Sequence, residues 1–272
     1  MVQLRRLLLV PLLLCAVLSS LGGALGLPSS DFTLRGGEWY DSWNIDRNYY
    51  AGPDGYLPNM AYETLGDNRE LAFSIGEAFA SQYTSRNAMA EAILSYVQIW
   101  TEYGYDSDNV FRDGVAQEEW AWNADEFARF FNETTGVTAT GDCEDMAFLL
   151  GTIYMGAGFD AAVVDASDHV GLLIWLPEYP NADYYWNIPD DGRGSGWIWV
   201  EATGESNPLG WTPPDFENQD WTAYPLGELQ PVSGSPEQEP ISIDQIILAA
   251  IAGVIVLALI AASAGRGSRR RV

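Results

Sequence analysis

Residues 143–159, "CEDMAFLLGTIYMGAGF", constrain the fold more than any other stretch of the chain. Met146, Ala147, Leu149, Leu150, Ile153 and Tyr154 recur at helical spacing and leave almost no polar side after the first turn. A helix that is apolar on most sides is stable only when surrounded, so a central buried helix is predicted. Asp142 occupies its N-cap position, Asp145 sits three residues on, and Gly156 and Gly158 end it. The period then changes. "FDAAVVDA", "HVGLLIWL" and "GWIWVEAT" are short β-type runs separated by turn residues. Helices first and strands afterwards give an α+β domain, with an antiparallel sheet packed on the central helix.

Upstream, the pattern predicts a helix over 69–83 and a second from a Ser85 cap to about Tyr103, with Met89, Ile93, Val97 and Trp100 on its inner face. Asn123 stands three residues before Glu126, a capping-box spacing that opens a short helix reaching about Phe131. Residues 28–66, rich in aromatic and turn residues, read as loops and short irregular pieces.

Both ends of the chain read as membrane-targeting segments. Arg5 and Arg6 precede the apolar run 7–25, and the small residues Gly22, Gly23, Ala24 and Gly26 follow, the pattern of a secretory signal over 1–26 or of an uncleaved anchor. Residues 246–264 carry no charge and are long enough to cross a bilayer as a helix. Arg266, Arg269, Arg270 and Arg271 follow, which keeps the tail 265–272 cytoplasmic. The expected organisation is therefore a single-pass cell-membrane protein with its body outside. That body divides into an aromatic-rich and helical part over 27–87, a main domain over 88–229 and a Pro/Ser/Glu-rich stalk over 230–245. "NET" at Asn132 is an N-glycosylation sequon consistent with an external location.

The net charge is −25, and every one of the 13 basic residues is arginine. Residues 27–245 hold seven arginines against all 38 acids, a net of −31. A nucleic-acid partner is excluded, because a phosphate-binding surface needs a basic patch. The lysine-free, acidic composition fits a salt-loving source, and equally a GC-biased one or plain codon bias.

Outside the N-terminal run, which contains Cys15, the chain has one cysteine, Cys143, and one histidine, His169. An intrachain disulfide in the mature domain and a structural zinc site are both ruled out. Cys143 is either a small buried hydrophobe or a reactive thiol. In the first turn of a helix, the dipole and the free N–H groups favour a thiolate and could hold an oxyanion. Asp142, Glu144 and Asp145 oppose that charge, so a cationic partner is needed. His169, at the start of a strand, is the candidate general base. Pairing of "WIWVEAT" with that strand would bring Glu201 beside it as the orienting acid, with Asp165 and Asp168 as rivals. Asp142, Glu144 and Asp145 read as helix caps, or as oxygen ligands for a cation such as calcium.

"GDCEDMAFLLGTIYMGAGFDAAVV", "DHVGLLIW" and "WIWVEATG" together resemble the transglutaminase-like superfamily, closest to the bacterial and archaeal transglutaminase-like cysteine proteinases. "WNADEFARFF" looks like the family's approach to the cysteine and "YPLGELQP" like its trailing segment, so the resemblance covers roughly 88–230. It implies a papain/transglutaminase-like core and a triad of Cys143, His169 and Glu201. The thiol would attack a peptide or carboxamide carbonyl of a protein or peptide substrate through a thioester, with no cofactor. Hydrolysis is the closer match and protein crosslinking the alternative. Two departures stand out. The third position is Glu where many members have Asp, and 32 residues separate it from His169. The excess is "PEYPNADYYWNIPDDGRGSG", a lid or rim over the site, or a solvated hairpin loop. The rival class is a surface binding module that keeps the fold without the chemistry; a purely structural wall protein would have no cleft. An enzyme requires Cys143 Sγ and His169 within hydrogen-bond reach in an accessible cleft.

Overall fold

A computed structural model of the chain describes residues 32–50, 55–63, 70–166, 168–188, 191–204, 206–216, 221–226 and 237–239. The expected signal segment, membrane span and cytoplasmic tail lie outside the described residues. Among those described, no helix is long and apolar enough to cross a membrane.

The predicted central helix is present as α6, Cys143–Gly156, and every residue from Glu144 to Tyr154 is buried. It packs against helices α2 (Glu70–Gln82), α3 (Arg86–Trp100) and α5 (Ala124–Ala128), and against strands β7 (Ala161–Ala166) and β8 (His169–Trp175). The crossing with α2 is unusually close. A Cβ on Gly76 would lie 2.0 Å from the Ile153 carbonyl oxygen, and one on Gly156 would lie 2.1 Å from the Phe73 carbonyl oxygen. The two backbones touch, and only glycine fits at either position.

The sheet runs in the order β11-β7-β8-β10-β9, with β9 at Tyr185–Asn187, β10 at Ser195–Val200 and β11 at Thr222–Pro225. All four pairings are antiparallel. Side chains alternate across it as the pleat requires. Val163, Leu172, Ile174, Ile198 and Val200 join the core around α6. Ala162, Val164, Leu173, Trp197 and Trp199 form a second apolar layer with Trp186 and Trp221 on the opposite face. Burial of both faces explains why these strands read as nearly continuous apolar runs. The α+β architecture with an antiparallel sheet on the cysteine helix is as the sequence predicts.

Local differences have identifiable causes. The segment expected to be irregular contains a hairpin, β1 (Thr33–Arg35) and β2 (Glu38–Tyr40), and a helix, α1 (Tyr56–Glu63). Pro58 masks α1 in the sequence, but it sits in the first turn, where no backbone N–H is required. Tyr56, Leu57, Met60 and Ala61 are its buried face. Helix α3 stops at Trp100 rather than near Tyr103, because Thr101–Tyr103 (β3) pairs in parallel with Ala139–Gly141 (β6). Helix α5 opens with the full capping box of Asn123 and Glu126 but ends at Ala128. Phe131 lies beyond it, stacked on Trp100 and edge-on to Tyr96. A short helix α4 (Asp106–Asn109) and a hairpin, β4 (Phe111–Arg112) and β5 (Val115–Ala116), lie between α3 and α5. Within the expected stalk, Glu237–Glu239 is extended and follows β9 in the sheet order as β12.

Candidate active site

The turn between β7 and β8 is as short as a hairpin allows. Ala166 pairs with His169, and Asp168, at φ 59°, takes the left-handed conformation that such a turn needs. His169 is therefore fixed at the first position of β8. On its other side β8 pairs with β10, Leu172 opposite Val200. Strand β10 ends at Val200, and Glu201 follows it toward the start of β8. Its Oε2 lies 2.9 Å from His169 Nε2. Oε1 accepts from Thr203 N–H at 3.0 Å and Thr203 Oγ1 at 2.6 Å, and Oε2 also accepts from Trp199 Nε1 at 3.2 Å.

Burial pushes the Glu201 carboxyl up, but the hydrogen bond and charge of His169 and the two Thr203 bonds outweigh it and hold it below the usual range. An ionised, fully bonded carboxylate on Nε2 fixes the tautomer: Nε2 carries the proton and Nδ1 is left basic. Neither rival acid takes this place. Asp165 and Asp168 make no hydrogen bond to His169 among the described residues, and burial pushes the Asp165 carboxyl up.

Cys143 is the first residue of α6 and is partly exposed. Its thiol donates to Glu144 Oε2 at 3.3 Å. The backbone N–H of Val170, next to His169, also points at the sulfur. Cys143, Val170, Gly171 and Glu201, with Ala147 and Leu150 of α6, line one small pocket that has no room for a water molecule. Among the described residues no hydrogen bond joins Cys143 Sγ to the His169 ring, so the contact that an enzyme requires is not made in this structure. Burial raises the thiol pKa, and Glu144 and Asp142 raise it further against the Val170 N–H. The structure thus pairs His169 with Glu201 directly and brings Cys143 to the same pocket as Glu201, with its thiol turned toward Glu144.

Around the N-terminus of α6 lies a buried group of acids. Carboxylate oxygens of Asp106, Asp142 and Asp145 lie within 4.8 Å of one another, as do those of Asp106, Glu119 and Glu144. Asp106 accepts from Trp120 N–H at 2.6 Å and Asp145 from Trp122 N–H at 2.7 Å. The Tyr56 hydroxyl joins Glu119 to Glu144. One oxygen each of Asp106, Asp142 and Asp145 has no partner, although Asp145 is fully buried and Asp106 nearly so.

Burial, with Asp142 next in effect, lifts the Asp106 carboxyl to about 8. Burial and Asp145 lift Glu144 to about 8, and burial and Glu144 lift Asp142 to about 10. Asp145 is pushed up as well, by burial and then Asp142. Such a set holds either protons or a hard, oxygen-seeking cation, for which calcium has the right ligand chemistry. Asp142 occupies the N-cap position, but its side chain makes no capping bond, so it is not the cap that the sequence suggests. Asp106 and Glu119 escape sequence reading because they come from α4 and the loop before α5. The only local signal is acids next to aromatics, in "YGYD" and "EEW".

None of the described residues of the aromatic insertion lines the pocket of Cys143. Tyr185–Asn187 of the insertion join the sheet as β9, and Arg193 bonds to Asp160 at 2.5 Å and lies over the Trp175 and Trp197 rings. Asp183 ties its first half to Gly210 and Thr212. No protein-family model matches this chain, and no curated protein matches it.

Proposed function

We propose that this chain is a transglutaminase-like cysteine enzyme, anchored at the cell membrane with its body outside, that hydrolyses a peptide or carboxamide bond. The observation that supports the reading is the His169–Glu201 pair, together with Cys143 and Glu201 lining one small pocket. Thiol, imidazole and carboxylate then have the roles of nucleophile, general base and orienting acid.

In the proposed reaction the thiol swings from Glu144 toward His169 Nδ1 and passes its proton to that nitrogen. Sγ adds to the carbonyl carbon, and the tetrahedral intermediate collapses with loss of the amine, which takes the proton from Nδ1. The product of this half is a thioester on Cys143. Water, deprotonated by Nδ1, then attacks the thioester and returns the thiol. If an amine replaces water, the same acyl-enzyme gives a crosslink. Each step conserves charge and needs no redox partner. Glu201 stays ionised throughout and stabilises the imidazolium.

A second reading has one observation in its favour. The resting thiol donates to Glu144 and is pushed up in pKa, which is what an inert cysteine in a binding module would show. Incubation with a protein mixture in the presence of a labelled primary amine separates the readings. New amino termini that require Cys143 indicate hydrolysis, and incorporated label indicates crosslinking. Neither product, with a correctly folded protein, sinks the enzyme reading.

A further inference from the structure

One contact to His169 comes from a segment that the proposed reaction does not use. Phe216 closes the short turn Pro214–Phe216. Its N–H donates to the Pro213 carbonyl at 2.9 Å, and its carbonyl accepts from Trp221 Nε1 at 3.0 Å. The phenyl ring lies 5.2 Å from the His169 ring at an interplanar angle of 14°. It also lies 5.8 Å from the Trp199 indole at 11°, and Trp199 lies 6.4 Å from His169 at 23°. The three rings are nearly parallel. Trp199 in addition donates to Glu201 Oε2, the same oxygen that meets His169 Nε2. The absence of a side chain at Gly171 makes room for this indole, since a Cβ there would come 2.2 Å from Trp199 Cζ2.

A single hydrogen bond at Nε2 leaves the imidazole free to swing about that bond. A flat apolar ring against its face removes that freedom, because off-plane rotation would drive the imidazole edge into the phenyl. Glu201 is nearly buried and the His169 side chain is only 16% exposed, and a hydrogen bond is stronger in such a dry environment. Phe216 itself is placed by its turn and by Trp221, so its position does not depend on His169.

We infer that Phe216 is a positioning residue for the general base: its ring, stacked on His169, holds the imidazole plane so that Nε2 stays on Glu201. The inference rests on the proposed reaction for its consequence, but its physical content is testable without it. His169 is the only histidine, so histidine-selective ¹⁵N labelling of the full-length chain gives a single imidazole.

The experiment compares wild type with Phe216→Leu, Phe216→Met and Phe216→Tyr, each first checked by thermal melting. The first readout is the exchange of Nε2–H with water. The second is the rate of Cys143 alkylation at one fixed pH, mapped by peptide mass so that Cys15 does not contribute. Phe216→Leu and Phe216→Met are expected to speed exchange and slow alkylation, each roughly tenfold or more. Phe216→Tyr, which keeps the flat face, is expected to restore both. Wild-type exchange in both flexible variants, or no rescue by tyrosine, overturns the inference. If wild-type alkylation is itself independent of His169, the enzyme reading fails, and the exchange rates alone decide the role of Phe216.

Discussion

His169 Nε2 and Glu201 Oε2 lie 2.9 Å apart although 32 residues separate them. The register of β8 and β10 accounts for this: Leu172 and Val200 are partners, so the start of one strand and the residue after the other share one edge. The insertion between them contributes β9, which pairs with β10 on the side away from β8. Val200 faces Leu172, so His169 lies further on, beyond the end of β10, and the glutamate side chain is long enough to span that offset. Replacing Glu201 by Gln keeps the length but offers Nε2 a neutral amide. The carboxylate that fixes the tautomer and stabilises imidazolium is gone. Alkylation of Cys143 near neutral pH, followed by peptide mass, is expected to slow by about a hundredfold in Glu201→Gln.

The raised acids make stability depend on pH in a definite direction. Asp106 and Glu144 titrate near 8 in the folded protein and near 4 when unfolded. Between those values the folded state holds protons that the unfolded state has released, so stability falls as pH rises from about 4 to about 8. Melting temperature in chelator is expected to drop across this interval, and Asp106→Asn is expected to flatten the drop. A melting temperature that rises over the same interval would contradict the buried, protonated cluster.

The same oxygens form a candidate site for a hard cation. Asp106, Asp142 and Asp145 each present an oxygen without a partner. Calcium at a hundred times its dissociation constant would stabilise by about 2.7 kcal/mol, several degrees in melting temperature for a domain of this size. The gain is expected at pH 8, to shrink at pH 5 where protons compete, and to vanish in Asp145→Asn. Calorimetric titration with calcium in the full-length chain measures it directly. Equal melting temperatures with calcium and with chelator at pH 8 would show that protons alone settle the cluster.

Gly76→Ala tests the packing of the cysteine helix. The added methyl would meet the Ile153 carbonyl at 2.0 Å, against backbone that has no rotamer with which to yield. The expected loss is about 2 kcal/mol or more, read by urea unfolding. Gly36→Ala, at a hairpin with open space around the glycine, is the control for a clash, since its cost comes only from the left-handed backbone at φ 68°.

Much of this fold is readable from the sequence because apolar period and turn residues agree locally. The run after Asp142 has only one way to be buried, as a surrounded helix. The strands starting at Ala161, His169 and Ser195 each begin within a residue or two of a turn signal. Helix α1 is hidden by Pro58, and β3 by helical spacing that runs on past Trp100, because parallel pairing with β6 is a tertiary choice. The site divides in the same way. His169 and Glu201 are legible as strand-edge residues, whereas the orientation of the Cys143 thiol is not. It depends on Glu144, which a linear reading places as a helix-start acid, and on Asp106 and Glu119, which only the fold brings near. Arg47 is a further case. It is buried between Asp41 and Glu126, joining the N-terminal hairpin region to α5, and nothing in "NIDRNYY" marks it.

The central claim, that His169 activates Cys143, is tested most directly by the pH dependence of Cys143 alkylation in wild type and in His169→Ala, in calcium-containing buffer with Cys143 resolved by peptide mass. The account predicts rapid labelling of wild type well below the ordinary thiol range near 8.5, and loss of that low-pH limb in the variant. Slow labelling that rises only above that range and is the same in both proteins would contradict it.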